Sequence, residues 1–245
     1  MNGHSSASAK NHRQRLRLDL TGAVQGVGFR PFIHRLAAGE GLTGFVRNTG
    51  EGVSIEVEGV MPEVERFLKR LDTEIVPPAE VHERRMDWLP VQGERTFTIM
   101  PSARISACSA VVLADLASCS ECVEEIFDPD NRRHLYPFTT CVRCGPRYSI
   151  VEAMPYDRVR TTMRHFTMCA ACQAEYDNPD SRRFHAQTNA CPNCGPQVAL
   201  WDVAGSAVAV GPDALQRAAA ALSAIGRIRG GRDGHRNLEP ATRQR

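Results

Sequence analysis

No stretch of the 245-residue chain approaches the ~18 consecutive apolar residues of a membrane span. Met1 to Arg17 is polar and basic and has no apolar segment of the secretory kind. Cysteine is missing from Leu16–Pro101. A broad excess of positive charge is missing as well. The formal net charge is +2, and Gly226 to Arg245 alone carries six arginines against Asp233 and Glu239. That balance argues against the wide basic surface of a nucleic-acid binder. The expectation is a cytoplasmic chain, not membrane-bound, whose thiols stay reduced.

The chain does hold nine cysteines, and eight of them form four Cys-x-x-Cys pairs: Cys119/Cys122, Cys141/Cys144, Cys169/Cys172 and Cys191/Cys194. Eighteen residues separate Cys122 from Cys141, and eighteen separate Cys172 from Cys191. Cys119–Pro146 therefore maps onto Cys169–Pro196 at a constant offset of fifty. Glu125, Pro129, Asp130, Arg132, Arg133, Gly145 and Pro146 recur as Glu175, Pro179, Asp180, Arg182, Arg183, Gly195 and Pro196. Each unit reads as a knuckle, a helical turn, a Pro-Asp turn and a second knuckle. Four thiolates per unit suit one structural zinc, so the expectation is two Zn²⁺ held by all eight cysteines. A disulfide framework is the competing reading, disfavoured by the lack of a secretory segment. The repeat favours pairing within each unit; crossed pairing stays open. Eight thiolates and two Zn²⁺ shift the +2 to about −2. His134, His165 and His185 are close in sequence but read as surface or supporting groups, and Cys108 as a plain linker cysteine.

Composition divides the chain into a polar tail (1–14), a globular domain (15–101), a linker (102–118), the cysteine-rich region (119–200), a segment with one alanine-rich helix (201–225) and a basic tail (226–245). In the globular domain, Leu16–Leu20 alternates like a half-buried strand, and Thr21–Arg30 is a glycine-bearing loop. Pro31 opens a helix through Ala38, and Leu42–Arg47 and Val53–Glu58 are strands about an Asn-Thr-Gly turn. Val64, Phe67, Leu68 and Leu71 share one face of a second helix, with strands near Val81–Trp88 and Thr96–Met100. The order β-α-β-β-α-β predicts an α+β, ferredoxin-like domain, followed by a small zinc-stabilised domain of two tandem tetracysteine units.

The loop before the first helix carries the chemistry. Gly22, Gly26 and Gly28 let backbone N–H groups approach an anion, the helix N-terminus adds positive potential, and Arg30 offers a forked donor. The string Gly22-x-Val24-Gln25-Gly26-Val27-x-Phe29-Arg30 resembles the acylphosphatase signature, and Gly44-Phe45-Val46-Arg47-Asn48 with Gly52 resembles that family's second motif. Ser54, where small acylphosphatases usually have valine, is a departure in the third strand. The resemblance implies that Arg30 and the backbone of Gln25, Gly26, Val27, Gly28 and Phe29 hold a phosphate. It also implies that Asn48 orients the attacking water on an acyl phosphate.

The acylphosphatase-like part, the two tetracysteine units, Tyr136-Pro137-Phe138-Thr139-Thr140-Cys141 and Phe184-His185-Ala186-Gln187-Thr188-Asn189-Ala190-Cys191-Pro192 together resemble the HypF-type carbamoyltransferases of [NiFe]-hydrogenase maturation. That family uses carbamoyl phosphate and ATP to carbamoylate the C-terminal cysteine of a partner, HypE. The resemblance implies carbamoyl phosphate as substrate, HypE as partner and ATP only through domains outside this chain. It implies that the zinc units form a rigid bridge. Pro212–Ile225 resembles the start of a YrdC-like segment, and the Arg/Gly-rich end suggests truncation. The chain alone is then expected to be at most an acylphosphatase. A second reading is a non-catalytic zinc module docking proteins or nucleic acid through Arg132/Arg133 and Arg182/Arg183. Those pairs are more simply solvated or ion-paired elements beside Asp130 and Asp180.

Overall fold

The computed structural model describes residues 12–103 and 109–229. Cys108, most of the polar tail and most of the basic tail lie outside the described residues. The described residues up to Pro196 form one compact unit, and those from Gln197 a second.

The first half of unit one is a five-stranded sheet in the order β4-β1-β3-β2-β5, with two helices. Its elements are β1 (Arg13–Ala23), α1 (Phe29–Gly39), β2 (Thr43–Asn48), β3 (Gly52–Val60), α2 (Met61–Glu74), β4 (Glu80–Leu89) and β5 (Phe97–Ile99). Alternation in β1 and β3 sends Leu16, Leu18, Leu20, Val53, Ile55 and Val57 into one core with Ile33 and Leu36 of α1 and Val64, Phe67 and Leu71 of α2. All are almost fully buried, and truncating a side chain such as Phe67 there typically costs about 3–5 kcal/mol. β1 is longer than its alternation suggested at both ends. Arg13 and Gln14 pair with Val60 and Gly59, and the far end runs on to Ala23 beside β4. Ladder pairing therefore claims residues of the expected tail and loop. Helix α1 likewise begins at Phe29, before Pro31, because Gly28 takes a left-handed φ of 74° and Phe32 N–H reaches the Gly28 carbonyl at 3.0 Å.

The opposite face of the sheet is polar. Arg15, 1% exposed, bonds Glu56 at 2.8 Å, Glu58 at 3.2 Å and Glu94 at 2.9 Å. A charge this buried persists only when paired. The described ends of the linker are held to the β2–β3 turn: Ala103 N–H bonds Asn48 O, and Ser109 and Ala110 N–H bond Gly50 O, each at 2.9 Å.

The cysteine-rich half of unit one carries α3 (Ser120–Phe127) and α4 (Ala170–Asp177), each starting just after the first cysteine of its repeat. The second unit holds the hairpin of β6 (Ala199–Trp201) and β7 (Ala207–Val210), then α5 (Gly211–Arg229). The hairpin had no strong sequence signal, with just 3 and 4 strand residues. No helix among the described residues is long and apolar enough to cross a membrane.

Candidate functional site: a loop cavity walled by the tetracysteine region

The cysteines gather as the repeat favoured, Cys119/Cys122/Cys141/Cys144 and Cys169/Cys172/Cys191/Cys194, with all eight thiols free of disulfides. The Sγ separations are 3.8, 3.8 and 3.7 Å in the first cluster and 3.7, 3.7 and 3.6 Å in the second. A tetrahedral ion with Zn–S bonds of ~2.3 Å demands edges of roughly 3.8 Å. The donor set and spacing therefore fit zinc, and four thiolates leave no open position.

The arginine pairs are ion-paired, but with Glu175 and Glu125 rather than with Asp130 and Asp180. They cross between the repeats. Arg133 bonds Glu175 at 2.5 Å and Asn189 Oδ1 at 3.0 Å. Arg182 bonds Glu125 at 2.6 Å, and Arg183 bonds the same carboxylate. Arg132 reaches the Cys172 sulfur at 3.4 Å, and Arg182 the Cys122 sulfur at 3.6 Å. Each repeat thus places guanidinium charge against the other's thiolates, which suits the net −2 of a zinc ion held by four thiolates. Burial opposes the Glu175 charge, but the bonds from Arg133 and Arg132 hold its carboxyl down at about 2.

At the sheet end, the loop of residues 24–28 leads into α1. No side chain caps that helix and its first turn holds no acidic residue, so its free N–H groups keep their attraction for an anion. Gly26, Gly28, Phe29, Arg30 and Asn48 line one small cavity. Gln25 is set differently. Its Nε2 donates to Thr49 O at 2.9 Å and Gly52 O at 2.7 Å, so the side chain clamps the loop to the β2–β3 turn. The Val27 side chain faces a neighbouring cavity.

Asn48, 1% exposed, donates from Nδ2 to Tyr156 O at 3.3 Å, while its Oδ1 is buried without a partner. A buried acceptor left open is costly, and it is a ready place for a bound water.

The other wall comes from the cysteine-rich half: Cys141, Val142, Arg147, Tyr156, His185, Ala186, Gln187 and Thr188. A Cβ on Gly28 would lie 3.1 Å from Val142 Cβ, and one on Gly26 3.1 Å from Arg147 Cδ. Arg147, 3% exposed, donates from Nε to the Gly26 carbonyl and from its other nitrogens to the carbonyls of Cys144 and Val142 at 2.9 and 3.0 Å. Arg30 pairs with Asp157 at 2.8 Å. The tetracysteine region is thus packed onto the loop of residues 24–28. His185 is half-buried and lies outside both cysteine clusters. It lines the cavity at a φ of +54°, and burial and the nearby Arg30 push its imidazole down to about 4.

Sequence reading missed this wall. Arg147 follows the first repeat where the second has Gln197, and Tyr156 and Asp157 lie between repeats. A break in the repeat was the available signal.

Comparison with known proteins agrees with this architecture. Residues 16–99 match the acylphosphatase family, and residues 119–151 and 168–201 match the HypF finger. The acylphosphatase of Bacillus pumilus is 46% identical over 72 residues, covering 29% of this chain and 79% of that protein. Fold and site together define an acylphosphatase domain joined to paired HypF fingers.

Carbamoyltransferase HypF of Synechocystis sp. is 44% identical over 149 residues, 61% of this chain and 19% of that protein. A crystal structure of full-length HypF in the phosphate- and nucleotide-bound form superposes with a TM-score of 0.78 at 35% identity, over 87% of this chain and 28% of that one. The chain belongs to the acylphosphatase family through residues 16–99, and with its paired HypF fingers it is similar to the HypF carbamoyltransferases. It spans about a fifth of the length of the curated HypF relatives it matches.

Proposed function

We propose that this chain hydrolyses a small acyl phosphate, with carbamoyl phosphate as the physiological substrate. The cleavage is the first step in supplying carbamate for modification of a HypE-type partner. The observation that carries the reading is the orphaned, buried Oδ1 of Asn48 in the same cavity as Arg30 and an uncapped helix N-terminus. The loop N–H groups and Arg30 hold the phosphoryl oxygens. Asn48 accepts a hydrogen bond from a water and aims its oxygen at phosphorus. The water oxygen bonds to phosphorus as the bond to the acyl oxygen breaks. The products are inorganic phosphate and a carboxylate that needs no proton to leave. The displaced water proton passes to solvent. Positioning and charge stabilisation can supply most of such an acceleration.

The two tetracysteine sites hold structural Zn²⁺ and shape the wall. ATP use and carbamoyl transfer belong to the full-length relatives, whose bound phosphate and nucleotide are consistent with that division. The reading places the protein in the cytoplasm. The second reading, a non-catalytic docking module, loses its main support because the guanidinium groups of Arg133 and Arg183 are buried in internal pairs.

The test is phosphate release from carbamoyl phosphate and from an aryl acyl phosphate, for wild type and Arg30→Ala. Loss of release in Arg30→Ala supports the reading. Release equal to wild type, or none from folded, zinc-loaded wild type, overturns it.

A further inference from the structure

Three side chains that the acylphosphatase-like motifs set aside for the site converge on two residues of the finger region. Gln25 Oε1 accepts from Tyr156 N–H at 3.0 Å, Asn48 Nδ2 donates to the Tyr156 carbonyl at 3.3 Å, and Arg30 Nη2 donates to that carbonyl at 3.2 Å. Arg30 Nη1 then pairs with Asp157 Oδ1 at 2.8 Å, with side-chain exposures of 10% and 18%.

The segment carrying these residues is itself fixed. Tyr156 is 7% exposed, donates its hydroxyl to Pro146 O at 3.3 Å, and lies 5.9 Å from the Arg147 guanidinium. Arg158, on the other side of Asp157, donates to Gln187 O and Asn189 O at 2.8 and 2.9 Å and to Phe166 O at 2.7 Å. Asp157 therefore stands between two anchored neighbours.

An arginine at the second position of a helix has several rotamers within reach, and a flexible donor loses entropy each time it grips a ligand. Two fixed acceptors, a carboxylate on Nη1 and a carbonyl on Nη2, select one orientation. They use two of its five N–H donors and leave three for phosphoryl oxygens. The carboxylate also balances the guanidinium charge while no substrate is bound.

We propose that Asp157 is a positioning residue for the phosphate site. On this view the finger region completes the acylphosphatase centre by orienting Arg30. This rests on the proposed hydrolysis of an acyl phosphate at that site. It adds that the sheet domain alone holds only part of the working arrangement. Charge alone would also allow the opposite role, in which Asp157 competes with phosphate for Arg30. The shared carbonyl of Tyr156, which binds both Arg30 and Asn48, favours orientation, because a competitor has no reason to fix the water-binding asparagine as well.

The test uses the whole chain, zinc-loaded, with Asp157→Ala, Asp157→Glu, Arg30→Ala and the double variant Arg30→Ala/Asp157→Ala. Phosphate release from carbamoyl phosphate is resolved into kcat and KM, and inorganic phosphate binding is measured by calorimetry. The expected result is a kcat lower by roughly 10²-fold in Asp157→Ala, as for a misplaced catalytic group, with partial recovery in Asp157→Glu. The double variant should be no slower than Arg30→Ala, because Asp157 acts through Arg30. Unchanged or faster turnover, tighter phosphate binding in Asp157→Ala, or multiplying losses in the double variant would overturn the proposal. Those outcomes leave Arg30 dependence intact. If Arg30→Ala is as active as wild type, or wild type neither binds nor releases phosphate, the hydrolytic reading itself fails, and the role of Asp157 with it.

Discussion

Arg183 donates from Nε to the main-chain carbonyl of Thr140 at 2.9 Å, and Arg133, its counterpart fifty residues earlier, donates to the carbonyl of Ala190 at the same 2.9 Å. The two bonds are related by the sequence repeat and run in opposite directions. Each repeat therefore supplies the arginine that ties down the backbone just before the third cysteine of the other.

This reciprocity makes the clusters interdependent. Removing the Arg183 side chain leaves Glu125 with Arg182 as a partner but takes the donor from the buried Thr140 carbonyl. Arg183→Ala should cost about 1–3 kcal/mol, the usual range for leaving a buried polar group unsatisfied. The loss should reach the first cluster although the mutation lies in the second repeat. Chemical denaturation measures the cost. A chromogenic chelator should draw zinc from both clusters faster in Arg183→Ala. Faster release from one cluster alone would show that the crossing bonds do not couple them.

Asn48→Ala removes the buried acceptor and leaves the loop and Arg30 in place. It should lower kcat for phosphate release by about 10²–10³-fold with little change in KM, as expected for a group acting on the water rather than on substrate binding. Asn48→Asp keeps an acceptor but brings negative charge next to the phosphoryl group, and should recover little. A large rise in KM with kcat unchanged would move Asn48 from the water to the substrate.

Gly28 ends the loop at φ +74°, and an added Cβ would meet Val142 of the finger region at 3.1 Å. Gly28→Ala combines left-handed strain with a displaced wall. It should destabilise by about 1–3 kcal/mol and impair phosphate release together. Urea unfolding and the release assay on one preparation check both. A stable, fully active variant would show that the wall yields without consequence.

These contacts mark where sequence reading stops. Alternation in β1 and β3 and the apolar face of α2 made the sheet domain legible, since burying Leu18, Ile55 and Phe67 requires those periods. The cysteine spacing made both clusters legible, because four thiolates around one ion fix their own geometry. Glycines and Arg30 pointed to a phosphate cradle. The second wall was not legible. Asp157 meets Arg30 from 127 positions along the chain, and no local pattern encodes a pair set by how two halves dock. The crossed arginines were missed for the same reason: Asp130 and Asp180 are near in sequence, whereas Glu175 and Glu125 are near only in the fold.

His185 gives the site a pH dependence with a definite sign. Burial first, then Arg30, lowers its folded-state pKa from 6.5 to about 4, with Asp177 and Asp157 opposing and His34 adding to the shift. The unfolded chain therefore binds the proton first as pH falls. This stabilisation is fully present above about pH 6.5 and is lost progressively toward pH 4. Comparing denaturation midpoints of wild type and His185→Gln across that window isolates the effect from the other titrating groups. The wild-type curve should fall more steeply. Parallel curves would mean that His185 titrates alike in both states.

Metal removal supplies the last prediction. Val142 lies between Cys141 and Cys144, and Ala186, Gln187 and Thr188 run up to Cys191, so the cysteines hold the wall that faces Gly28 and Arg30. Stripping zinc should loosen that wall and reduce phosphate release by at least about tenfold, although a closed four-thiolate site offers no position for substrate. The control is reconstitution with Cd²⁺, which accepts the same four thiolates. A structural role predicts that Cd²⁺ restores turnover close to the zinc value, because only the wall matters. Recovery with zinc but not cadmium, in protein equally folded by circular dichroism, would assign the metal a direct part in the reaction. Turnover unaffected by chelation would show that the sheet domain holds the phosphate site unaided.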